Sequence, residues 1–138
     1  MNATKKDGLT IIKIGDFDHN FFNKEGINEW FKFVSYFIKD GFAKVQRKDS
    51  LYNYIDKNGN FLSNEWFKLL GDFDDNGLAL IQRGDTLWNF IDKNGKLLSN
   101  EWFKWADDFD DNGLARVKRT NGEQCKIDKN GKIVSISK

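Results

Sequence analysis

The stretch Gly77-Leu78-Ala79-Leu80-Ile81-Gln82-Arg83-Gly84-Asp85-Thr86-Leu87-Trp88-Asn89-Phe90-Ile91-Asp92-Lys93-Asn94-Gly95 decides the fold of this chain. It recurs 36 residues earlier and 36 residues later, where Gly41-Phe42-Ala43 and Gly113-Leu114-Ala115 again lead into Ile-Asp-Lys-Asn-Gly. The phrase Asn-Glu-Trp-Phe-Lys separates the copies, at residues 28–32, 64–68 and 100–104. Recurrence at a fixed interval predicts a repeat protein, whose units bury their apolar faces against one another.

The repeat covers nearly all of the 138 residues, which we interpret as a single repeat domain over residues 1–138. A degenerate copy spans residues 8–40, two full copies span 41–76 and 77–112, and a partial copy spans 113–138. In the degenerate copy, Gly8 and Gly26 are as far apart as Gly77 and Gly95.

Each copy predicts a three-stranded antiparallel meander, so that the chain is mainly all-β, a short stacked repeat array with little helix. Leu78 to Arg83 and Thr86 to Asp92 are rich in aliphatic, aromatic and β-branched residues, and they flank Gly84-Asp85. This pattern predicts two strands joined by a tight turn. Asn94-Gly95 predicts the next turn, and Lys96 to Ser99 the third strand.

The turn at Gly84-Asp85 also predicts a strand register, in which Ile81 lies opposite Trp88 and Ala79 opposite Phe90. In the last copy, Asn121-Gly122 offers a turn one residue later than this register requires.

The linking segment from Asn100 to Asn112 carries apolar residues at spacings of one, three and three, which predicts one helical turn or a compact loop. The face assigned to Trp88 and Phe90 carries Gln124 and Lys126 in the last copy. A face that turns polar at one end is typical of a terminal repeat.

Composition narrows the class of protein. The chain has 22 basic and 21 acidic residues, so its net charge of +1 provides no global field to attract nucleic acid or an anionic membrane. No apolar run is long enough for a secretory signal or a membrane span, which predicts a cytoplasmic location. The single cysteine, Cys125, excludes an intramolecular disulfide.

The run from Trp88 to Lys96, together with Gly77-Leu78-Ala79, resembles the WG repeat family, also called KWG repeats, which occurs in many bacterial proteins as tandem β-rich units. The Trp-Gly pair that names the family is replaced here in every copy. Its counterparts are His19-Asn20, Tyr52-Asn53, Trp88-Asn89 and Gln124-Cys125. The resemblance implies a binding or scaffold module and supplies no catalytic motif.

Asp72 to Gly77 and Asp108 to Gly113 fit the first half of a calcium-binding loop. The twelfth position, where such a loop needs a bidentate glutamate, is Arg83 or Arg119, so the sequence favours a solvated turn capped by aspartate. No metal and no cofactor is predicted.

Catalysis is not predicted either, because each candidate group occupies a repeated position. His19 stands where other copies have Tyr52 and Trp88, and Cys125 stands where they have asparagine. The recurring carboxylates occupy equivalent environments, unlike the two carboxyls of an acid and base pair. They are Asp56, Glu65, Asp92, Glu101 and Asp128.

Two sets of residues are candidates for binding. Arg47, Arg83 and Arg119 recur at one position, with Lys44 and Arg116 nearby and Lys118 adjacent, and they form either a basic column or partners for the equally periodic aspartates. The second set consists of aromatic residues found in one copy only, Tyr36 and Trp105. The strict recurrence of Trp and Phe in the linking phrase favours core positions for both, with a binding platform as the alternative for the tryptophans.

The sequence therefore predicts a non-enzymatic bacterial or phage protein that binds another protein, in the manner of an inhibitor, immunity or adaptor protein. The alternative is recognition of carbohydrate or a cell-wall polymer by exposed aromatic faces. The predicted contact residues are Tyr36, Lys44, Arg47, Arg83, Trp105, Arg116 and Arg119. The partner's identity and the oligomeric state are not encoded in any pattern found.

Overall fold

The computed structural model of the chain is all-β, as the repeat pattern predicts. It describes residues 2–6, 9–14, 18–22, 28–31, 33–34, 41–56 and 58–137, with side chains for residues 41–56 and 58–136. The strands are β1 (Asn2–Lys6), β2 (Leu9–Ile14), β3 (Asp18–Phe22), β4 (Asn28–Phe31), β5 (Phe33–Val34), β6 (Phe42–Gln46), β7 (Tyr52–Asp56), β8 (Leu69–Leu70), β9 (Leu78–Gln82), β10 (Trp88–Asp92), β11 (Trp105–Ala106), β12 (Ala115–Lys118), β13 (Gln124–Ile127) and β14 (Ile133–Ser137). In this part of the chain, nothing helical has the length and apolar character that crossing a membrane requires.

The strands form antiparallel sheets in which neighbours in sequence are neighbours in space. The described residues give the sheets β1-β2-β3-β4, β5-β6-β7, β8-β9-β10 and β11-β12-β13-β14. This arrangement confirms the predicted array of repeated meanders.

The chain divides into two compact units, Met1–Trp66 and Phe67–Lys138. The boundary falls inside the linking phrase of the copy 41–76, so the units do not follow the copy boundaries. The interpretation of residues 1–138 as one domain stays a prediction.

The hairpin between β9 and β10 differs from the predicted register by one residue. Trp88 pairs with Gln82, and Phe90 with Leu80. The connection is a five-residue loop rather than a two-residue turn, because the amide of Arg83 donates to the carbonyl of Leu87 at 2.9 Å.

The loop owes its shape to its third and fourth residues. The amide of Leu87 donates to Oδ1 of Asp85, and Thr86 adopts a φ of 69°. The same loop recurs with Ser50 at a φ of 72° and Gly122 at 89°. Asn121-Gly122, which looked displaced by one residue in the last copy, therefore marks the loop that all three copies share.

In the copies 41–76 and 77–112 the third strand of the meander was predicted on the wrong side of the hairpin, whereas in the last copy β14 follows the hairpin as predicted. β8 and β11 lie in the linking segments and pair with the strand that follows them, β9 and β12. Lys96 to Ser99 makes only an isolated bridge between Leu97 and Ile91, and a second bridge joins Phe103 to Trp88. The linking segment is thus strand and loop, with no helical turn in its described residues.

A buried amide explains why the chain returning along β10 is not a regular strand. Asn89, which is fully buried, donates through Nδ2 to the carbonyl of Ser99 at 2.9 Å. Its Oδ1 accepts from the amides of Phe90 at 2.8 Å and Ser99 at 3.3 Å. The carboxamide therefore occupies the gap between the two bridges and satisfies backbone groups that a ladder would otherwise pair.

The last copy shows what happens without that amide. Cys125 replaces the asparagine, and the returning chain forms the five-residue strand β14, in which Ile136 pairs with Cys125 and the register shifts by a bulge between Lys126 and Ile127. The burial of Cys125 raises the pKa of its thiol, and the neighbouring Glu123 carboxylate raises it further.

The turns of the form Asp-x-x-Gly follow one design. The Oδ1 atom of Asp92 accepts from the amides of Asn94 and Lys96, while the amide of Gly95 donates to the carbonyl of Asp92. Gly95 needs its positive φ of 81° to close the turn. The same bonds recur at Asp56, Asp74, Asp110 and Asp128. The spacing of 18 residues between these aspartates divides each repeat into two halves.

The second unit has a core between its two sheets. Phe90 and Phe103 are each 1% exposed and pack with the inward side chains of the last sheet. Those side chains are Ala106, Ala115, Val117, Cys125 and Ile127. Leu80 and Trp88, on the same face as Phe90, are partly buried against this cluster. One face of the sheet β8-β9-β10 is thus covered by one face of the sheet β11-β12-β13-β14.

Candidate binding face

The recurrent arginines make repeated intramolecular contacts. The guanidinium of Arg83 lies 4.1 Å from the ring centroid of Trp102, and Arg47 lies 4.4 Å from that of Trp66. Arg83 also binds Asp85 through both arms, with Nε to Oδ1 at 3.2 Å and Nη2 to Oδ2 at 2.8 Å. The arginine therefore joins the hairpin loop to the linking phrase by a cation–π contact and a fork-like ion pair.

These ion pairs also affect the acids. Hydrogen bonding to Arg83 holds the pKa of Asp85 below the usual carboxyl value, and Arg47 does the same to Asp49. The sequence left two interpretations of the recurrent arginines, a basic column or pairing with the periodic aspartates. The structure shows the pairing at Arg47 and at Arg83.

Arg119 has no tryptophan to stack on in the described residues. Its Nε donates to Glu101 at 2.7 Å and its Nη1 to Glu123 at 2.8 Å. The two carboxylates raise the pKa of the guanidinium further above its usual value. Glu101, considered as a catalytic carboxylate, is thus one side of a structural ion pair.

The adjacent aromatics of the linking phrase point in different directions. Phe67 and Phe103 are each 1% exposed, which confirms their prediction as core residues. Trp66 and Trp102 are half-buried, with the recurrent arginines against their rings. These tryptophans are neither buried core nor bare platforms.

The calcium-like loops are used as turns. Asp74 accepts from the amides of Asn76 and Leu78, and Asp110 does the same for Asn112 and Leu114. Over the described ranges, no three His, Cys, Asp or Glu side chains lie close enough together to hold a metal ion.

One predicted pair of binding residues comes together on the outer side of the last sheet. Trp105 is 44% exposed, and the guanidinium of Arg116 lies 6.0 Å from its ring centroid. Arg116 donates to Asp107 at 3.0 Å and keeps 69% of its side chain exposed. An open groove of about 330 Å³ lies beside them and is lined also by Lys118, Gln124 and Lys126.

Strand pairing places all five side chains on one face. Lys118 pairs with Trp105 on one side and with Gln124 on the other, and Arg116 pairs with Lys126. Directly paired residues share a face, as do residues two apart along a strand. We call this surface the cationic face. It consists of Trp105, Arg116, Lys118, Gln124 and Lys126.

The preceding copy shows how unusual this face is within the repeat. At the positions 36 residues earlier, Arg116 corresponds to Leu80, Gln124 to Trp88 and Lys126 to Phe90. Those three residues pack on the core. The cationic face is therefore the same surface of the meander with its apolar side chains replaced by polar and charged ones.

Among the other predicted contact residues of the second unit, Arg83 and Arg119 do not line this groove. Lys44 lies with its Nζ 5.8 Å from the ring centroid of Tyr54, and Tyr36 lies outside the described residues, as does the side chain of His19. Arg47, Arg83 and Arg119 are engaged as described above. The sequence predicts Gln124 and Lys126 only as a polar end of the array, because placing them on one face with Trp105 and Arg116 requires the strand register.

The fold and this face define a β-meander repeat protein with a charged outer sheet. No protein-family model matches the chain, and no curated protein sequence matches it.

Among solved structures the chain is similar to the WD40 β-propeller domain of Doa1, at 13% identity and a TM-score of 0.42, covering 98% of this chain and 52% of that one. It is similar also to the computationally designed Ika8 protein, at 12% identity and a TM-score of 0.45, covering 98% and 48%. The chain spans about half the length of each. At this level of likeness no function carries over.

Proposed function

We propose that this chain is a non-enzymatic, WG-type repeat protein that binds another protein through the cationic face. The single observation that carries the proposal is the replacement of Leu80, Trp88 and Phe90 by Arg116, Gln124 and Lys126 at equivalent positions. The first three residues pack on the core, whereas Arg116 and Gln124 are exposed and Lys126 is half-buried beside Trp105.

The cationic face places an exposed tryptophan beside an arginine, two residue types that dominate the energetics of protein interfaces. Tryptophan and arginine are enriched among the residues that contribute most to binding energy, and lysine and glutamate are not. Trp105 brings a large apolar surface, and its neighbours provide donors for a polar rim. The face thus combines an apolar anchor with a charged surround.

The carbohydrate alternative is less well supported. Binding a polysaccharide by stacking needs several exposed rings in a row, whereas Trp105 is the one aromatic side chain among the large exposed apolar residues in the described part of the chain. Trp66 and Trp102 are half-buried, and the guanidiniums of Arg47 and Arg83 lie 4.4 and 4.1 Å from their ring centroids, closer than the 6.0 Å between Arg116 and Trp105.

The test compares two alanine substitutions at equivalent positions. Leu69, the counterpart of Trp105 in the preceding copy, is also on a short linking strand and is 38% exposed. The wild-type chain, Trp105→Ala and Leu69→Ala are each immobilised, and proteins retained from the native lysate are identified by mass spectrometry. A retained protein is then purified and titrated against all three forms.

We expect a protein that binds the wild-type chain and Leu69→Ala alike and binds Trp105→Ala at least about tenfold more weakly, as for the loss of a central interface aromatic. If the purified protein binds all three forms equally, or no protein binds stoichiometrically, the proposal is wrong. Binding of saccharides that quenches tryptophan fluorescence would support the carbohydrate alternative instead.

A further inference from the structure

We infer that the partner of the cationic face is an acidic polypeptide segment, one in which carboxylates alternate with apolar residues. This inference rests on the proposed function and adds the chemistry of the partner. It follows from the charge on the face, from an unfavourable pair of residues within it, and from the acidic loop at its edge.

The charge on the face is strongly one-sided. Arg116, Lys118 and Lys126 are the charged members, and Asp107 at the edge pairs with Arg116. Neither Lys118 nor Lys126 has an ion-pair partner in the part of the chain with described side chains. Among the described residues, the surface therefore presents two ammonium groups that form no ion pair, on a protein whose net charge is only +1.

Two of these cations directly oppose each other across the sheet. Arg116 and Lys126 are register partners on β12 and β13, with Cβ atoms at the roughly 5 Å separation of cross-strand pairs. Like charges in this arrangement destabilise a sheet. The equivalent pair one repeat earlier is Leu80 and Phe90, which packs favourably. A bound carboxylate between the two cations would convert the repulsion into attraction.

The spacing of the cations fits a peptide better than a single anion. Arg116 and Lys118 are two residues apart on one strand, about 7 Å along its length, and Lys126 lies one strand over. Crossing the sheet from Trp105 to Lys126 spans two strand spacings, about 10 Å, so an extended segment of roughly three to five residues covers the face. Alternating side chains on such a segment would meet Trp105 and the cations in turn.

The edge of the face argues against a nucleic acid. The loop that joins β11 to β12 carries Asp107, Asp108, Asp110 and Asp111, all at least partly exposed. A polyanion with a charge on every nucleotide would meet this loop as it left the face. A peptide can place its few carboxylates over the cations and neutral residues beside the aspartates.

The test uses the full chain and two double charge reversals that change the net charge equally. Lys118→Glu with Lys126→Glu alters the face, and Lys68→Glu with Lys96→Glu alters two exposed lysines that do not line the groove. The probes are a fluorescein-labelled peptide of about ten residues alternating glutamate with leucine and tyrosine, its glutamine analogue, and an oligothymidylate of similar length. Binding is measured by fluorescence anisotropy at low and high salt.

We expect the glutamate peptide to bind the wild-type chain and the Lys68/Lys96 variant alike, more weakly at high salt, and about tenfold more weakly to the Lys118/Lys126 variant. The glutamine analogue should bind at least about tenfold more weakly than the glutamate peptide. Equal binding of both peptides, no binding of either, or tighter binding of the oligothymidylate would overturn the inference.

A second measurement separates folding from binding. Lys126→Glu places a carboxylate opposite Arg116, so we expect this substitution to raise the midpoint of thermal unfolding and to weaken the binding of the glutamate peptide. A lowered midpoint would refute the argument from cross-strand repulsion. If the glutamate peptide does not bind but the binding of a natural partner still requires Trp105, the proposed function stands and only the inferred acidic chemistry of the partner is wrong. If the partner's binding requires neither Trp105 nor the two lysines, both the proposed function and the inference of an acidic partner are wrong.

Discussion

Replacing Asn89 with alanine tests the account of why the chain returning along β10 does not form a regular strand. The side chain is fully buried and makes three hydrogen bonds, to Ser99 twice and to Phe90 once. A neutral hydrogen bond contributes about 1 kcal/mol net, and a buried group left unpaired costs about 1–3 kcal/mol. The bond to the Ser99 amide is long, at 3.3 Å, so it adds less than the other two bonds. We therefore expect the substitution to lower the free energy of unfolding by about 2–4 kcal/mol.

The assay is urea unfolding followed by far-ultraviolet circular dichroism, with Asn94→Ala as the control. Asn94 is exposed and lies in the adjacent turn, so its substitution should change the free energy of unfolding by less than about 0.5 kcal/mol. Asn89→Cys, which copies the residue of the last repeat, should cost nearly as much as alanine, because a thiol cannot bridge the two backbone segments.

Hydrogen exchange gives a local readout of the same substitution. The amides of Phe90 and Ser99 should lose protection in Asn89→Ala, while the amide of Trp88, bonded to the carbonyl of Phe103 at 2.8 Å, should keep more of it. If Asn89→Ala is no more destabilising than Asn94→Ala, or if Phe90 and Ser99 stay as protected as in the wild-type chain, the carboxamide does not have the role assigned to it.

Three further predictions follow from the contacts of the second unit. Arg83→Gln should raise the pKa of Asp85 toward its usual value of 3.8, because the hydrogen bond that lowers it is lost. In the wild type, the ionised Asp85 stabilises the fold above pH 3.8, and this stabilisation is lost as the pH falls through the lowered pKa. NMR titration measures the pKa of Asp85 in the wild type and in the variant. Gly131→Ala should destabilise the protein by about 2–4 kcal/mol, because the φ of Gly131 is +81° and a Cβ would lie 2.5 Å from the carbonyl oxygen of Leu98. The control, Gly84→Ala, has open space around the added Cβ and should be neutral or slightly stabilising. Urea unfolding measures both variants. Cys125 should react slowly with a disulfide reagent at pH 8 and rapidly in urea, because it is 3% exposed and its thiol pKa is raised; equal rates would contradict its burial.

The turns were accessible to sequence reasoning because their signals are local. Asp92 and Gly95 each act within the turn that contains them, so residue type and spacing are enough. The hairpin register was not, because the left-handed position is held by Ser50 and Thr86 rather than by glycine. Only the last copy has a glycine, Gly122, at this left-handed position, so the other two copies give no local signal for the five-residue loop.

The other differences arise from contacts between distant residues. The role of Asn89 depends on Ser99, ten residues away, and the stacking of Arg83 depends on Trp102. Neither pairing is implied by alternation along a strand. The cationic face was partly visible, since Trp105 and Arg116 were singled out and Lys126 marked a polar end, but uniting them required the register that places them on one side of β11, β12 and β13.

The aspartate turns that recur every 18 residues have a consequence for how copies of this sequence diverge. Each turn satisfies its backbone within about five consecutive residues, so a substitution in one turn needs no matching change in another. The strand positions between two such turns are correspondingly free to vary. Tyr52, Trp88 and Gln124 occupy one such position in successive copies while the loops around them keep the same bonds. Duplication followed by drift can therefore convert an internal surface into an external one without rebuilding the scaffold.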